Sequence, residues 1–390
     1  MRNNRIYYRN PFFHIGHLQT LFYNDRFATE QGGKCYAIVD DRNHPDSFTK
    51  IQEDFAYLEL KSMIIVSIQR HAGIISLETK KLIREGRVYM LCGKSTFTDA
   101  DYITECLEAT TLTHFQLRLK SDNTTICFVK QEPQGLAVVY LFEYIIKVLD
   151  QTYNITDITS DSLNGNEGLN VLPLKLYTIN HFRYAKKQWP TDGIYNPCLL
   201  TLKGLQARHV PKAVLYEFYE DACMSGQTSI ARFNHLLEGH LNRVAVPFGG
   251  IIDPLRVDLD TGQTIYIEQE DFGLDHPLKL LRDRACNLST GGRITCTEVV
   301  FNGQGVDRLR ATFASAADPA LRTIMNIEAA QSIPVVYQCY NWWYTGLNTI
   351  MKPVVYTGYT AEGMVPGVIY RISNNFCIKG DQGILSICKA

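Results

Sequence analysis

The chain has 390 residues, room for two to three domains, and its formal net charge of −1 excludes a generally cationic coat for nucleic acid but not a local basic track. Eleven cysteines, an odd number without a Cys-x-x-Cys pair, read as reduced thiols rather than a disulfide scaffold or a zinc site. No secretory or transit segment opens the sequence, and the longest apolar stretch, Leu136 to Leu149, is too short to span a bilayer and contains Glu143 and Lys147. The expectation is a cytoplasmic protein without membrane contact.

Ile6-Tyr7-Tyr8 is a short β-like run, and Phe13-His14-Ile15-Gly16-His17 comes after it at the head of a helical pattern carried by Leu18, Leu21 and Phe22. A strand feeding a helix through a tight turn presents backbone N–H groups and the positive end of the helix dipole to phosphate. His14 and His17, at i and i+3, share a helical face and suit donation to oxygens that gain charge in a phosphoryl-type displacement. Gly16 has no Cβ, which lets a flat adenine ring lie against the backbone. The tetrapeptide alone fits a chance pair of histidines on an amphipathic helix equally well, and the residues downstream of it break the tie. Gly32-Gly33 stops the helix as a C-cap, and Lys34 to Val39 is an apolar β run. Asp40-Asp41-Arg42-Asn43-His44-Pro45 then puts carboxylates at the C-terminal end of a strand, where open α/β sheets hold ligands.

Strand, phosphate turn, helix, strand and acidic loop, with these residues, resemble the opening of class I aminoacyl-tRNA synthetases of the glutaminyl/glutamyl branch. The family's His-Ile-Gly-His stands unaltered at 14–17, and its Arg-Phe-Asp-Asp-Thr-Asn-Pro is similar to Ile38 through Pro45. The resemblance implies an α/β plus β architecture: a Rossmann-type catalytic domain with an acceptor-binding insertion, a helical connector and a C-terminal anticodon-binding β-barrel region. The boundaries it suggests are 1–92 and 134–180 for the two catalytic halves, 93–133 for the insertion, 181–242 for signature loop and connector, and 243–390 for the barrels.

Further along, Ile64-Ile65-Val66 reads as a strand, His71 to Glu85 as a helix stopped by Gly86, and Val88 to Cys92 as another strand. Leu117-Arg118-Leu119-Lys120 is similar to the family's Leu-Arg-Ala-Lys, and Arg118 and Lys120 share a strand face suited to phosphate, though a merely solvated basic face has the same composition. Leu136 to Asp150 resembles the family's buried segment, and Asn154-Ile155-Thr156 its Gly-Ile-Thr at the adenylate pocket. In that alignment Phe142 stands where the family has a tyrosine whose hydroxyl reads the amino-acid side chain.

Residues 181–212 carry six cations, Arg183, Lys186, Lys187, Lys203, Arg208 and Lys212, against one acid, Asp192. Arg183 to Trp189 resembles the second family signature, Val-Met-Ser-Lys-Arg-Lys-Leu, with Lys186 on the catalytic lysine, Ala185 for the serine and Gln188 for the third cation. A mobile lysine there raises rate by meeting charge present only in the transition state. Val214 to Ala222 and Ile230 to Leu241 read as helices. From about residue 243 the period changes to alternation, with hairpins turning at Thr261-Gly262 and Asn302-Gly303. Trp342-Trp343 fits either a stack on splayed bases or a barrel core.

By resemblance the activity is ATP-dependent attachment of glutamine to its tRNA through an aminoacyl-adenylate, by a monomer. His14, His17 and Lys186 are the catalytic set. Gly16, Ile155 and Thr156 bind ATP, whose Mg²⁺ arrives with it, and no metal site belongs to the protein. Asp40 holds the substrate's ammonium, with Phe142 and, across a one-residue gap, Arg5 beside it. Arg118, Lys120 and Lys187 meet tRNA. Two other readings stay open: a glutamate-tRNA ligase, and a catalytically impaired tRNA-binding descendant, to which the altered second signature and Phe142 point.

Overall fold

The structure is a computed structural model. It describes residues 2–8, 13–42, 46–109, 114–132, 135–159, 168–172, 178–180, 199–273, 279–280, 282–303, 305–339, 354–380 and 383–389. The chain divides into two compact units, Met1–Leu176 and Tyr177–Ala390.

The first unit opens with strand β1 (Asn3–Tyr8), helix α1 (Leu18–Glu30), β2 (Cys35–Val39), α2 (Ser47–Leu58), β3 (Met63–Ser67) and α3 (Ala72–Arg84). Strands β9 (Ile155–Thr159) and β10 (Asn170–Leu172) return late in the chain to complete a five-stranded sheet of order β10-β9-β1-β2-β3. Every pairing in it is parallel, so all the strands end on one edge, as in a Rossmann-type sheet. The Gly32-Gly33 turn works through both residues. Gly32 takes φ +62°, and a Cβ on Gly33 would come 2.0 Å from the Arg2 carbonyl oxygen, so only glycine lets β2 start beside β1.

Between α3 and β9 lies a second, antiparallel sheet. Its strands are β4 (Val88–Cys92), β5 (Ser95–Phe97), β6 (Gln116–Leu119), β7 (Thr125–Glu132) and β8 (Gly135–Tyr140), in the order β5-β4-β6-β7-β8, with α4 (Ala100–Glu108) between β5 and β6. Two segments expected in the catalytic sheet therefore belong to this second sheet. Val88–Cys92 pairs with β6 through Val88↔Leu119, and β8 pairs with β7 through Cys127↔Tyr140. The apolar run expected as one buried segment splits at Leu141, whose extended backbone (φ −73°, ψ 148°) turns β8 into α5 (Phe142–Thr152). Ile38 and Val66 of the parallel sheet, Ile75 and Ile83 of α3, Met90 and Leu117 of the inserted sheet, and Ile145 and Leu149 of α5 form one buried cluster. The inserted sheet is thus fixed to the parallel one by shared core, each such side chain contributing roughly 1.5–3 kcal/mol on burial.

In the second unit, α6 (Leu202–Ala207), α7 (Lys212–Ser225) and α8 (Ile230–Val244) precede two seven-stranded sheets. The two expected helices fall in α7 and α8. One sheet is built around the Pro254–Leu259 and Thr264–Glu268 hairpin, which turns at Gly262 (φ +86°), and the Arg293–Asn302 and Gly305–Ala314 hairpin. Its core gathers Leu255, Val257, Ile267, Ile294 and Leu309. The other sheet closes on Tyr337, Tyr370, Ile372, Cys377 and Ile384. Residues 181–198, with Lys186 and Lys187, and Trp342-Trp343 lie outside the described residues. Among the described residues no helix is long and apolar enough to cross a membrane.

Candidate active site

Phe13, Ile15 and Leu18 are fully buried and pin the turn after β1. Phe13 stacks on Phe55 of α2, with ring centroids 5.7 Å apart, and meets Tyr8 and His17 edge-on. On that base the two half-buried histidines cap the helix start. The Gly16 N–H donates to His14 Nδ1 at 3.0 Å, and the His14 N–H donates to His17 Nδ1 at 3.2 Å. This is a capping box made of imidazoles instead of Ser and Glu. Because each Nδ1 is an acceptor, each ring carries its proton on Nε2, a tautomer assigned from the hydrogen bonds. The rings lie 3.9 Å apart at 36°.

Gly16 also has a local role in the turn. A Cβ there would stand 2.8 Å from His14 Cε1, so the lack of a side chain makes room for the His14 ring.

A second cluster sits at the end of β2. The Asp40 N–H donates to the Tyr8 carbonyl at 3.2 Å, which ties it to the strand end beneath the histidines. Arg42 binds the Asp40 carboxylate with a two-pronged grip, Nε to Oδ1 and Nη2 to Oδ2, both at 2.8 Å, and its Nη1 donates to the Tyr140 carbonyl at 3.2 Å. The Tyr7 hydroxyl donates to Asp40 Oδ2 at 3.3 Å, and the Tyr7 ring packs on Phe142 at 4.0 Å between centroids. Burial pushes the Asp40 carboxyl up, but Arg42 and Tyr7 outweigh it and hold the group below its ordinary value. Alternation along β1 sends Tyr7 toward α5 and Tyr8 toward His17, so the two clusters stand on opposite sides of one strand end.

Asp40, Phe142, His14, Gly16 and His17 thus gather at the C-terminal edge of the parallel sheet. Others do not. Arg5 shares the Tyr7 side of β1 but lies two residues back, about 6.6 Å along the strand. It is 1% exposed, and its Nε donates to Asp150 Oδ1 at 2.6 Å. Burial raises Asp150 to about 6 against the pull of Arg5. Ile155 and Thr156 stand at the opposite edge, because Ile155 pairs with Asn3 at the start of β1. Thr156 Oγ1 donates to the Asn3 carbonyl and bonds Asp157, and Ile155 lines a cavity of about 760 Å³ that runs along α5 and includes none of the edge residues. The structure thus does not bring them together with the histidines: the register of a parallel strand puts its last residues, not its first, at that edge. Arg118 lies on β6 with Nη2 donating to Gln116 at 3.0 Å, and Lys120 is exposed just beyond the strand.

Sequence reasoning missed Asp41 and Tyr7. Asp41 is buried, accepting from the Ser67 hydroxyl and, at 3.0 Å, from the Gln69 N–H, and so locks the ends of β2 and β3 together. The doubled carboxylate at 40–41 was the available signal: one faces the edge and the other is structural. Among the described residues no three His, Cys, Asp or Glu side chains are placed to hold a metal ion.

Comparison with known proteins bears on this same segment. Residues 10–98 match the model for the catalytic domain of class I tRNA synthetases (E and Q). The chain is 31% identical over 164 residues to a glutamine–tRNA ligase of Nitrobacter winogradskyi, covering 33% of this chain and 29% of that protein. To a glutamine–tRNA ligase of Nitrobacter hamburgensis it is 26% identical over 194 residues, covering 38% and 34%. The match therefore spans about a third of each of these relatives. A solved structure, the glutamate-tRNA synthetase of Elizabethkingia anophelis, aligns over 40% of this chain and 44% of its own at 13% identity and a TM-score of 0.29, too distant to carry an argument. Through residues 10–98, which hold both histidines, Asp40 and Arg42, the chain is similar to the catalytic domain of class I tRNA synthetases (E and Q).

Proposed function

We propose that the protein joins glutamine to tRNA at the expense of ATP, the amino acid being activated on the α-phosphate before transfer to the terminal adenosine. The observation that carries this reading is the imidazole capping box. His14 and His17 spend their Nδ1 atoms as acceptors on the turn itself, which leaves Nε2–H as the donor of each ring. A neutral donor fixed in this way stabilises phosphate oxygens as they gain charge, and it needs no reorganisation to do so. Asp40, ionised and held by the hydroxyl of Tyr7, whose ring packs on Phe142, supplies the counter-charge for the substrate's ammonium. Lys186, on the second signature, completes the set by family likeness, with Mg²⁺ entering on ATP. Positioning and electrostatics carry the rate, and no side chain forms a covalent bond. Arg118, Lys120 and Lys187 are the proposed tRNA contacts, and the two C-terminal sheets the proposed anticodon-reading region.

Phe142 favours a second reading. Its ring faces Tyr7 without the hydroxyl that the family uses to read the side chain, which leaves glutamate as the alternative substrate and a tRNA-binding descendant as the other. Charging of total tRNA with labelled glutamine and, separately, glutamate tests both, beside a Lys186→Ala control. Glutamine charging that collapses in the control is expected. Charging by glutamate alone replaces the substrate, and tRNA retention without charging by either removes the enzyme reading.

A further inference from the structure

We propose that Arg42 is a built-in competitor for the amino acid: its guanidinium holds the Asp40 carboxylate, and a substrate ammonium reaches that carboxylate only by displacing it. The inference rests on the amino-acid-ligase reading and deepens it. It makes Arg42, which stands where the resembled signature has threonine, the residue that sets how readily Asp40 takes an amino group.

The donors on Asp40 leave no room for a further one. A carboxylate offers roughly four acceptor directions. Arg42 Nε takes one on Oδ1 and Nη2 one on Oδ2, both at 2.8 Å. The Tyr7 hydroxyl takes another on Oδ2 at 3.3 Å, and the Arg42 backbone N–H is a fourth donor. An ammonium can therefore bind only after a donor leaves. Tyr7 is held by its ring packing on Phe142, and the backbone N–H is fixed by the chain. The guanidinium, on a stem of several rotatable bonds, is the donor free to move. Its departure releases one direction on each oxygen, which suits the three N–H donors of an ammonium.

Charge decides which ligand can drive the exchange. Burial disfavours an ionised Asp40, and Arg42 and Tyr7 outweigh it. Withdrawing the guanidinium alone strands a half-buried carboxylate, whereas an incoming ammonium replaces one cation by another. A ligand without the ammonium cannot make that exchange, so the competitor also selects for the amino group. Side-chain exposures of 33% for Arg42 and 18% for Asp40 let water limit the strength of the pair. The Tyr140 carbonyl, 3.2 Å from Nη1, is an acceptor outside the carboxylate that can keep the displaced guanidinium. A pair closed nine-tenths of the time lowers the apparent affinity for the amino acid by about tenfold.

The test is calorimetric titration, without ATP, of wild type, Arg42→Thr and Arg42→Lys. The probes are glutamine, or glutamate if the wild type charges that instead, and the same molecule with hydrogen in place of its ammonium. Arg42→Thr should bind the amino acid at least fivefold more tightly than wild type, and the deamino acid no more tightly. Arg42→Lys, with the charge but not the two-pronged grip, should fall between, and it decides the matter if the threonine variant does not fold. An amino acid bound equally or more weakly by the variants, beside a wild type that charges tRNA, overturns the inference and leaves the ligase reading standing. Equal tightening of both ligands also overturns it, since Arg42 would then only crowd the site. A wild type that binds neither amino acid and charges no tRNA overturns the ligase reading together with it.

Discussion

The His14 backbone N–H donates to His17 Nδ1 at 3.2 Å, while the His14 ring takes the Gly16 N–H on its own Nδ1 at 3.0 Å. The two imidazoles are thus one unit, each fixed by the peptide groups of the turn they cap. Asparagine separates capping from donation, since its Oδ1 can replace Nδ1 but nothing replaces Nε2–H. His17→Asn should lower ATP–pyrophosphate exchange by about 10²–10³-fold, with a melting temperature within a few degrees of wild type because loss of a cap costs only about 1 kcal/mol. A variant that melts early but exchanges at the wild-type rate would show that the histidine is only a cap.

Gly16→Ala puts a methyl 2.8 Å from His14 Cε1 and must push the ring off the Gly16 N–H. Exchange activity should fall by at least tenfold, and the His14 Nδ1 resonance should lose the shift of a hydrogen-bond acceptor. Retention of both would mean that the turn can open without cost.

Phe142 lies 4.0 Å from Tyr7, and Tyr7 reaches Asp40. Phe142→Tyr adds one hydroxyl at the wall proposed to face the side chain. One hydrogen bond is worth about 1 kcal/mol, so KM for glutamine in charging should drop roughly fivefold with KM for glutamate less affected. An unchanged ratio would place position 142 away from the side chain.

What the sequence made legible, and what it hid, divides along physical lines. Periodicity found β1, α1, β2, α7, α8 and both hairpins, because each is written in its own residues. Partners are not written locally. Val88–Cys92 reads as a strand in any sheet, and only the Val88↔Leu119 pairing assigns it to the antiparallel one. Arg5 and Asp150 meet across 145 positions, which no local pattern announces. Likeness of Asn154-Ile155-Thr156 to a family motif gave residue types without register, and register put Ile155 and Thr156 at the edge opposite the histidines. The grip of Arg42 on Asp40 spans only two positions, yet its significance depends on Tyr140 and Tyr7 arriving from elsewhere.

A pH effect is expected from the C-terminal sheets. Glu268 is buried, accepts the Ile252 N–H at 3.0 Å, and is pushed up to about 7 by burial and then by the nearby Glu270 and Asp271 charges. Between the unfolded value near 4.5 and 7 the folded chain holds the extra proton, so this group's contribution is full below that window and lost as pH rises through it. Glu268→Gln should flatten that slope and raise the melting temperature at pH 8, by up to about 3 kcal/mol of stability if the whole shift is realised. Parallel wild-type and variant melting curves from pH 5 to 8 would contradict it.

The most direct measurement is ATP–pyrophosphate exchange by the whole chain in the presence of tRNA, with glutamine and with glutamate. A glutamine–tRNA ligase built on the imidazole capping box should show exchange that depends on glutamine and falls in His14→Asn and His17→Asn. No exchange with either amino acid, from protein that folds and retains tRNA on a filter, would contradict it.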